Sequence, residues 1–156
     1  MNDFNSSRLL STYPLLYRKL REFGFECGDG WFDLIWQLSA DIESAAHLKN
    51  IPETLEACPA VTILKQKFGS LRLSFSEEVA LSEDICSLVD KACEHSRRTC
   101  ESCGAPANMC PSPRPGGWVR TLCTNCRNEL PPPPSDHNPI PKPPIWVLEK
   151  KEEQDK

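Results

Sequence analysis

Hydrophobic side chains recur at helical spacing in three stretches of this chain and alternate in one. Residues 12–23, TYPLLYRKLREF, predict a short amphipathic helix with Pro14 in its first turn and Gly24 ending it. Residues 30–46 predict a second, with Trp31, Leu34, Ile35, Leu38, Ile42 and Ala45 on one stripe and Asp29 placed to cap it. Trp36 and Phe32 lie off that stripe, so they either pack under the first helix or offer a docking face. Residues 48–60, with Pro52 and Pro59, read as a connection. Ser82 caps a third predicted helix, about 83–98, whose inward positions are Ile85, Leu88, Val89, Ala92 and Cys93.

The alternating stretch is VTILKQKFGSLRLSF, residues 61–75, which predicts a β-hairpin turning at Gly69-Ser70. That register pairs Phe68 with Leu71, Gln66 with Leu73 and Leu64 with Phe75. The opposite face then carries Lys65, Lys67 and Arg72, with Lys67 directly across from Arg72. Like charges so opposed destabilise a strand pair unless water screens them or an anion bridges them.

Both periods stop near residue 99. Residues 100–126, CESCGAPANMCPSPRPGGWVRTLCTNC, hold five cysteines, four prolines and few large apolar side chains. Cys100-x2-Cys103 and Cys123-x2-Cys126 have the spacing of a four-cysteine zinc site, two turns each aiming two sulfurs at one tetrahedral ion. Such a segment draws its folding free energy from the metal, ~10–16 kcal/mol for structural zinc at neutral pH. GWVRTLC alternates as a short strand would, so the segment reads as a zinc ribbon, and Cys110 reads as an idle loop thiol. Four thiolates close the shell, and the segment has no histidine, so the metal is expected to be structural and the protein no enzyme. After Cys126, PPPPSDHNPIPKPP is low in complexity and predicts an extended or flexible tail ending in IWVLEKKEEQDK.

Charge adds a candidate surface. The chain carries a net −4, yet residues 97–127 hold Arg97, Arg98, Arg114, Arg120 and Arg127 against Glu101 alone. Arginine either offsets the dianionic zinc–thiolate centre or recognises carboxylate and phosphate in planar, bidentate fashion. Arg114, Trp118 and Arg120 with Lys65, Lys67 and Arg72 are therefore the candidate partner-binding residues. Glu26, Asp29 and Asp33 in ECGDGWFD form an alternative acidic site for an enzyme, although capping and solvation account for Asp29 and Asp33. His47, His95 and His137 are scattered and complete no nucleophile triad. No apolar run approaches a membrane span, no secretory signal opens the chain, and nine cysteines without export point to a reducing cytoplasm.

ECGDGWFDLI, KQKFGSLR and the pair CESCGAP and GGWVRTLCTNC together resemble a family of small phage and prophage proteins of no assigned activity. The resemblance covers about residues 25–126; family versions more often carry a glycine where Ser70 stands and lack the proline tail. It implies a bacterial cytoplasmic setting and carries no catalytic residue with it. The expected fold is α+β, with two or three helices on a β-hairpin over 1–99, a zinc ribbon over 100–127 and a tail over 128–156. The expected function is non-enzymatic binding of a host or phage protein, with structural Zn2+ and no small-molecule substrate. The alternative is a nucleic-acid-binding regulator that uses the same basic groups.

Overall fold

The computed structural model describes residues 1–20, 24–48, 57–77, 80–111 and 118–130. Arg114, the end of the first expected helix (residues 21–23) and the proline-rich segment from residue 131 onward lie outside the described residues. The chain begins with α1 (Asp3–Thr12), which the hydrophobic pattern did not indicate, and a single-turn helix, α2 (Pro14–Tyr17). A two-residue strand, β1 (Phe25–Glu26), leads through a 3₁₀ turn at Asp29–Trp31 into the long helix α3 (Phe32–Leu48). The hairpin of β2 (Val61–Lys67) and β3 (Ser70–Phe75) precedes α4 (Glu83–Ser96). Two short strands, β4 (Asn108–Cys110) and β5 (Arg120–Leu122), and a last turn of helix, α5 (Thr124–Asn128), complete the described fold.

The body is mixed α and β, as expected. Its sheet has the order β1-β2-β3, with β1 parallel to β2 and β2 antiparallel to β3. Trp31 from the 3₁₀ turn and the α3 stripe supply the centre of the core: Trp31, Ile35, Leu38 and Ile42 are all buried, and Ala46 closes the stripe in place of the half-buried Ala45. They meet Leu9 from α1, Tyr13, Leu16 and Tyr17 around α2, Val61, Leu64 and Leu71 from the hairpin, and Ile85 from α4. The Tyr17 hydroxyl shares a buried 2.6 Å hydrogen bond with Ser39 Oγ, which gives the phenol a partner inside an apolar interior. Trp36 packs edge-on against Tyr13, and the Arg8 guanidinium lies over both Trp36 and Phe32. The first of the two readings of those aromatics, packing under the N-terminal helices, is the one observed.

Two expectations change at the level of single turns. Asp29 does not cap the long helix; its carboxylate accepts from the Asn2 backbone N–H at 2.8 Å and from Asn5 Nδ2 at 3.1 Å, tying α1 to the 3₁₀ turn. The hairpin turns at Phe68-Gly69, one residue earlier than expected, with φ of 54° and 71° at the two positions. Positive φ at both central residues is the type I′ requirement, which matches the twist of the flanking strands. Lys67 consequently pairs with Ser70, Gln66 with Leu71 and Leu64 with Leu73, and Lys65 takes the place opposite Arg72. Moving the turn by one residue shifts the pairing by two. Residues 64–67 and 71–75 therefore keep the faces that their alternation gave them, whereas a register shift between Val61 and Ile63 accompanies the burial of Val61, and Phe68 leaves the inward face for the exposed turn.

Candidate metal centre and adjoining groove

The candidate metal centre begins where α4 ends. Ser96 Oγ donates to the Cys93 carbonyl and accepts from the Leu71 backbone N–H, fixing the last turn of α4 to the outer edge of β3. Thr99 then bridges to Pro106, and Ala107 N–H donates to the Arg98 carbonyl, so the chain reverses tightly around the first cysteine pair. Within that reversal Cys100 N–H donates to Ala105 O at 2.7 Å, and Gly104 N–H to Cys100 O at 2.9 Å. The second pair sits on α5: Cys123 is its N-cap, with Sγ accepting from Cys126 N–H at 3.5 Å. Between the pairs, β4 and β5 form a two-stranded antiparallel sheet.

The sulfurs of Cys100, Cys103, Cys123 and Cys126 lie within 4.8 Å of one another, and all nine cysteines are free thiols. Cys103 and Cys123 Sγ are 3.7 Å apart, far beyond the ~2.05 Å of a disulfide. A tetrahedron whose centre lies ~2.3 Å from each sulfur has an edge of ~3.75 Å, so the spacing suits a tetrahedral ion. Burial raises the Cys100 thiol, yet hydrogen bonding from the backbone at Cys123, Cys103 and Ser102 brings it down to about 7. Its contacts with the Cys103 and Cys123 thiols push Cys126 far the other way. One thiolate forms readily here; four together need a cation.

The packing points to the same need. The module's own apolar cluster contains Cys100, Cys110 and Leu122, edged by Ala105, Ala107 and Leu130. Burying one leucine contributes about 2 kcal/mol, against ~10–16 kcal/mol from a bound structural zinc. Cys110 belongs to this cluster: it is buried on β4 with Sγ 3.4 Å from the Asn108 carbonyl oxygen, a strand residue where an idle loop thiol had been expected.

Glu101, inside the first CxxC turn, joins the module to the body. Its backbone N–H donates to Thr121 O at 2.9 Å, and its carbonyl accepts from Gly30 N–H at 2.9 Å. Its carboxylate accepts from Gly28 N–H at 3.2 Å and from Arg120 Nε at 3.2 Å. Beside it, Trp31 Nε1 donates to Thr99 O at 2.8 Å. The two glycines of ECGDGW make this approach possible. A Cβ at Gly30 would lie 2.6 Å from the Cys103 nitrogen and closer still to the Cys100 carbonyl oxygen, and one at Gly28 would collide with the Glu101 carbonyl. The hairpin tip docks on the other side: Thr121 Oγ1 donates to Gly69 O at 2.6 Å, and Gln66 Nε2 donates to Val119 O. Neither Glu101 nor the glycine pair was singled out by sequence reasoning. Two glycines flanking one acidic residue, and a glutamate within a CxxC turn, are the signals that were there to find.

Between the hairpin and the module runs a groove of about 520 Å³ lined by Glu26, Lys65, Gln66, Lys67, Glu101, Trp118 and Arg120. Four of the six candidate partner-binding residues thus converge. Arg72 is exposed on β3 opposite Lys65 and does not line the groove, and Arg114 lies outside the described residues. Arg120 is half-buried and committed to Glu101 and Ser102 by hydrogen bonds, which lessens the charge it can offer. The acidic trio is divided: Glu26 lines this groove, Asp29 holds α1, and Asp33 lines a second groove of about 400 Å³ between α3 and α4. Among the described residues, no helix is long and apolar enough to cross a membrane. Compared with protein-family profiles, curated proteins and solved structures, the chain matches none of them.

Proposed function

We propose that this is a zinc-stabilised, non-enzymatic binding protein that engages an acidic surface of another protein through the groove beside its metal module. Zn2+ is the metal we assign to Cys100, Cys103, Cys123 and Cys126, because four thiolates at tetrahedral spacing suit a borderline-soft d10 ion. The same four ligands fill its shell and leave no position for a substrate, which supports a structural role. The observation that carries the binding role is the convergence of Lys65, Lys67, Arg120 and Trp118 on one groove. Lysine, arginine and tryptophan around a concavity suit charge steering at the rim and an aromatic anchor within. The resemblance of ECGDGW, KQKFGSLR and the cysteine block to phage and prophage proteins supports an accessory protein acting on a host protein in the bacterial cytoplasm.

A nucleic-acid partner is the second reading, favoured by the exposed Trp118 beside Lys65 and Lys67. The chain's net charge of −4 opposes a long polyphosphate backbone more than a short acidic segment, and so weighs toward protein. Affinity capture from bacterial lysate, with and without nuclease, separates the two. Full-length chain is expected to retain a nuclease-resistant protein that a Lys65→Glu/Lys67→Glu variant releases. Capture abolished by nuclease would establish the second reading, and capture indifferent to the charge reversal would remove the groove from either.

A further inference from the structure

We infer that the partner presents an acidic segment with one large apolar side chain, and that this side chain seats on an apolar platform formed by Phe68, Met109 and Trp118. The inference rests on the groove reading above and names the chemistry of its occupant. All three side chains are conspicuously exposed, at 66%, 53% and 75%. The hairpin tip brings their chain positions together: a Cβ built on Gly69, next to Phe68, would lie 3.2 Å from Met109 Cγ and 3.4 Å from Cγ1 of Val119, the residue after Trp118. Lys67 stands 5.4 Å from the centre of the Phe68 ring and shares the groove with Trp118, which joins the platform to the basic wall.

The backbone at Phe68 supplies a separate argument. Its φ of 54° is a conformation that bulky side chains avoid, at a position where glycine or asparagine would serve the turn better. A strained residue whose ring is exposed gains little from packing, so the strain points to a role outside the fold. Methionine, phenylalanine and tryptophan are side chains of protein-interface centres, and methionine adapts its shape to its occupant. Lys65 and Lys67, which line the groove with Trp118, give the complementary charge for acidic neighbours of the anchor.

The test uses the zinc-loaded full chain and three probes: two acidic peptides of equal length and charge, one with a central tryptophan and one with alanine there, and oligothymidylate. The chain has two methionines, so 13C-methyl labelling gives one reporter at Met1 and one at Met109. The tryptophan peptide is expected to bind at least about tenfold more tightly than the alanine peptide and to shift the Met109 methyl signal. Phe68→Gly is expected to remove that preference while the thermal midpoint holds or rises, which excludes misfolding as the cause. Equal affinities with an unmoved Met109 signal would overturn the platform; if Lys65→Glu/Lys67→Glu weakened both peptides, the groove reading would survive alone. Binding of oligothymidylate with no binding of either peptide would overturn both. Failure of every probe would sink the platform, as would a Met109 signal that moves on dilution or on deletion of residues 131–156, each of which gives the patch to the protein's own chain.

Discussion

Phe68 occupies backbone space that glycine fills without strain, so Phe68→Gly is expected to raise stability by about 1 kcal/mol in urea unfolding. Gly30 is the opposite case. Alanine there must displace backbone atoms of the Cys100–Gly104 turn, and we expect Gly30→Ala to lose about 2–3 kcal/mol. The two outcomes together measure how differently strain is placed on either side of the metal module. Asp29 carries a pH dependence of definite sign. The Asn2 backbone N–H, with the Asn5 side-chain amide, holds its carboxyl below the ordinary value. A depressed folded pKa gives stability that is present above the unfolded value of ~3.9 and lost as pH falls through the lower folded value. Acid titration of unfolding should show that loss, and Asp29→Asn should remove it. The sequence disclosed Asp29 as a residue that caps something; which helix it serves depends on a contact 27 positions away, beyond the reach of local pattern.

Helices with continuous apolar stripes were legible at the scale of elements. α3 and α4 lie close to their expected bounds because Ile35, Leu38 and Ile42, or Ile85 and Ala92, fall on one face and stay buried. α1 escaped notice since DFNSSRLLST buries Leu9 alone and is held by the Asn2 cap and by Asp29, with no stripe to reveal it. β1 is two residues long and gains its identity only from pairing with β2. The hairpin was recognised and the faces of residues 64–67 and 71–75 were right, while the irregularity at Val61 and Ile63 was not foreseen and the turn position depended on whether Phe68 accepts a left-handed backbone. Tertiary contacts decided that, through Thr121 Oγ1 on Gly69 O. Arg120 shows how an element changes the meaning of a residue. From sequence it was a recognition group; on β5 it also neutralises Glu101, whose side chain is 8% exposed. Arg120→Ala is accordingly expected to lower stability by about 1–3 kcal/mol in thermal or urea unfolding, whatever its effect on binding.

For the whole molecule, the four-cysteine cluster was readable because paired CxxC units are a local pattern, whereas the surfaces that seat the module against the body were not. Glu101, Gly28, Gly30, Gln66 and Thr121 meet across long stretches of chain, and each looks ordinary in its own neighbourhood. Chelation of the zinc proposed for the four cysteines should therefore be felt beyond them. In hydrogen exchange we expect the Gly30 and Glu101 amides, which bond to Glu101 O and Thr121 O, to lose protection first, while amides in the middle of α3 and β2 stay slow. Equal loss everywhere would mean that body and module unfold as one.

The Glu101 hub also has a bearing on how the protein is made. Gly28 and Trp31 find their partners 73 and 68 residues later in the chain, at Glu101 and Thr99. A ribosome delivering residues one by one releases the receptor loop long before the hook, and Cys126, the last ligand, later still. During that interval an indole and two amides wait without their intended company, so the hub closes only after the Cys100–Cys126 module has been synthesised.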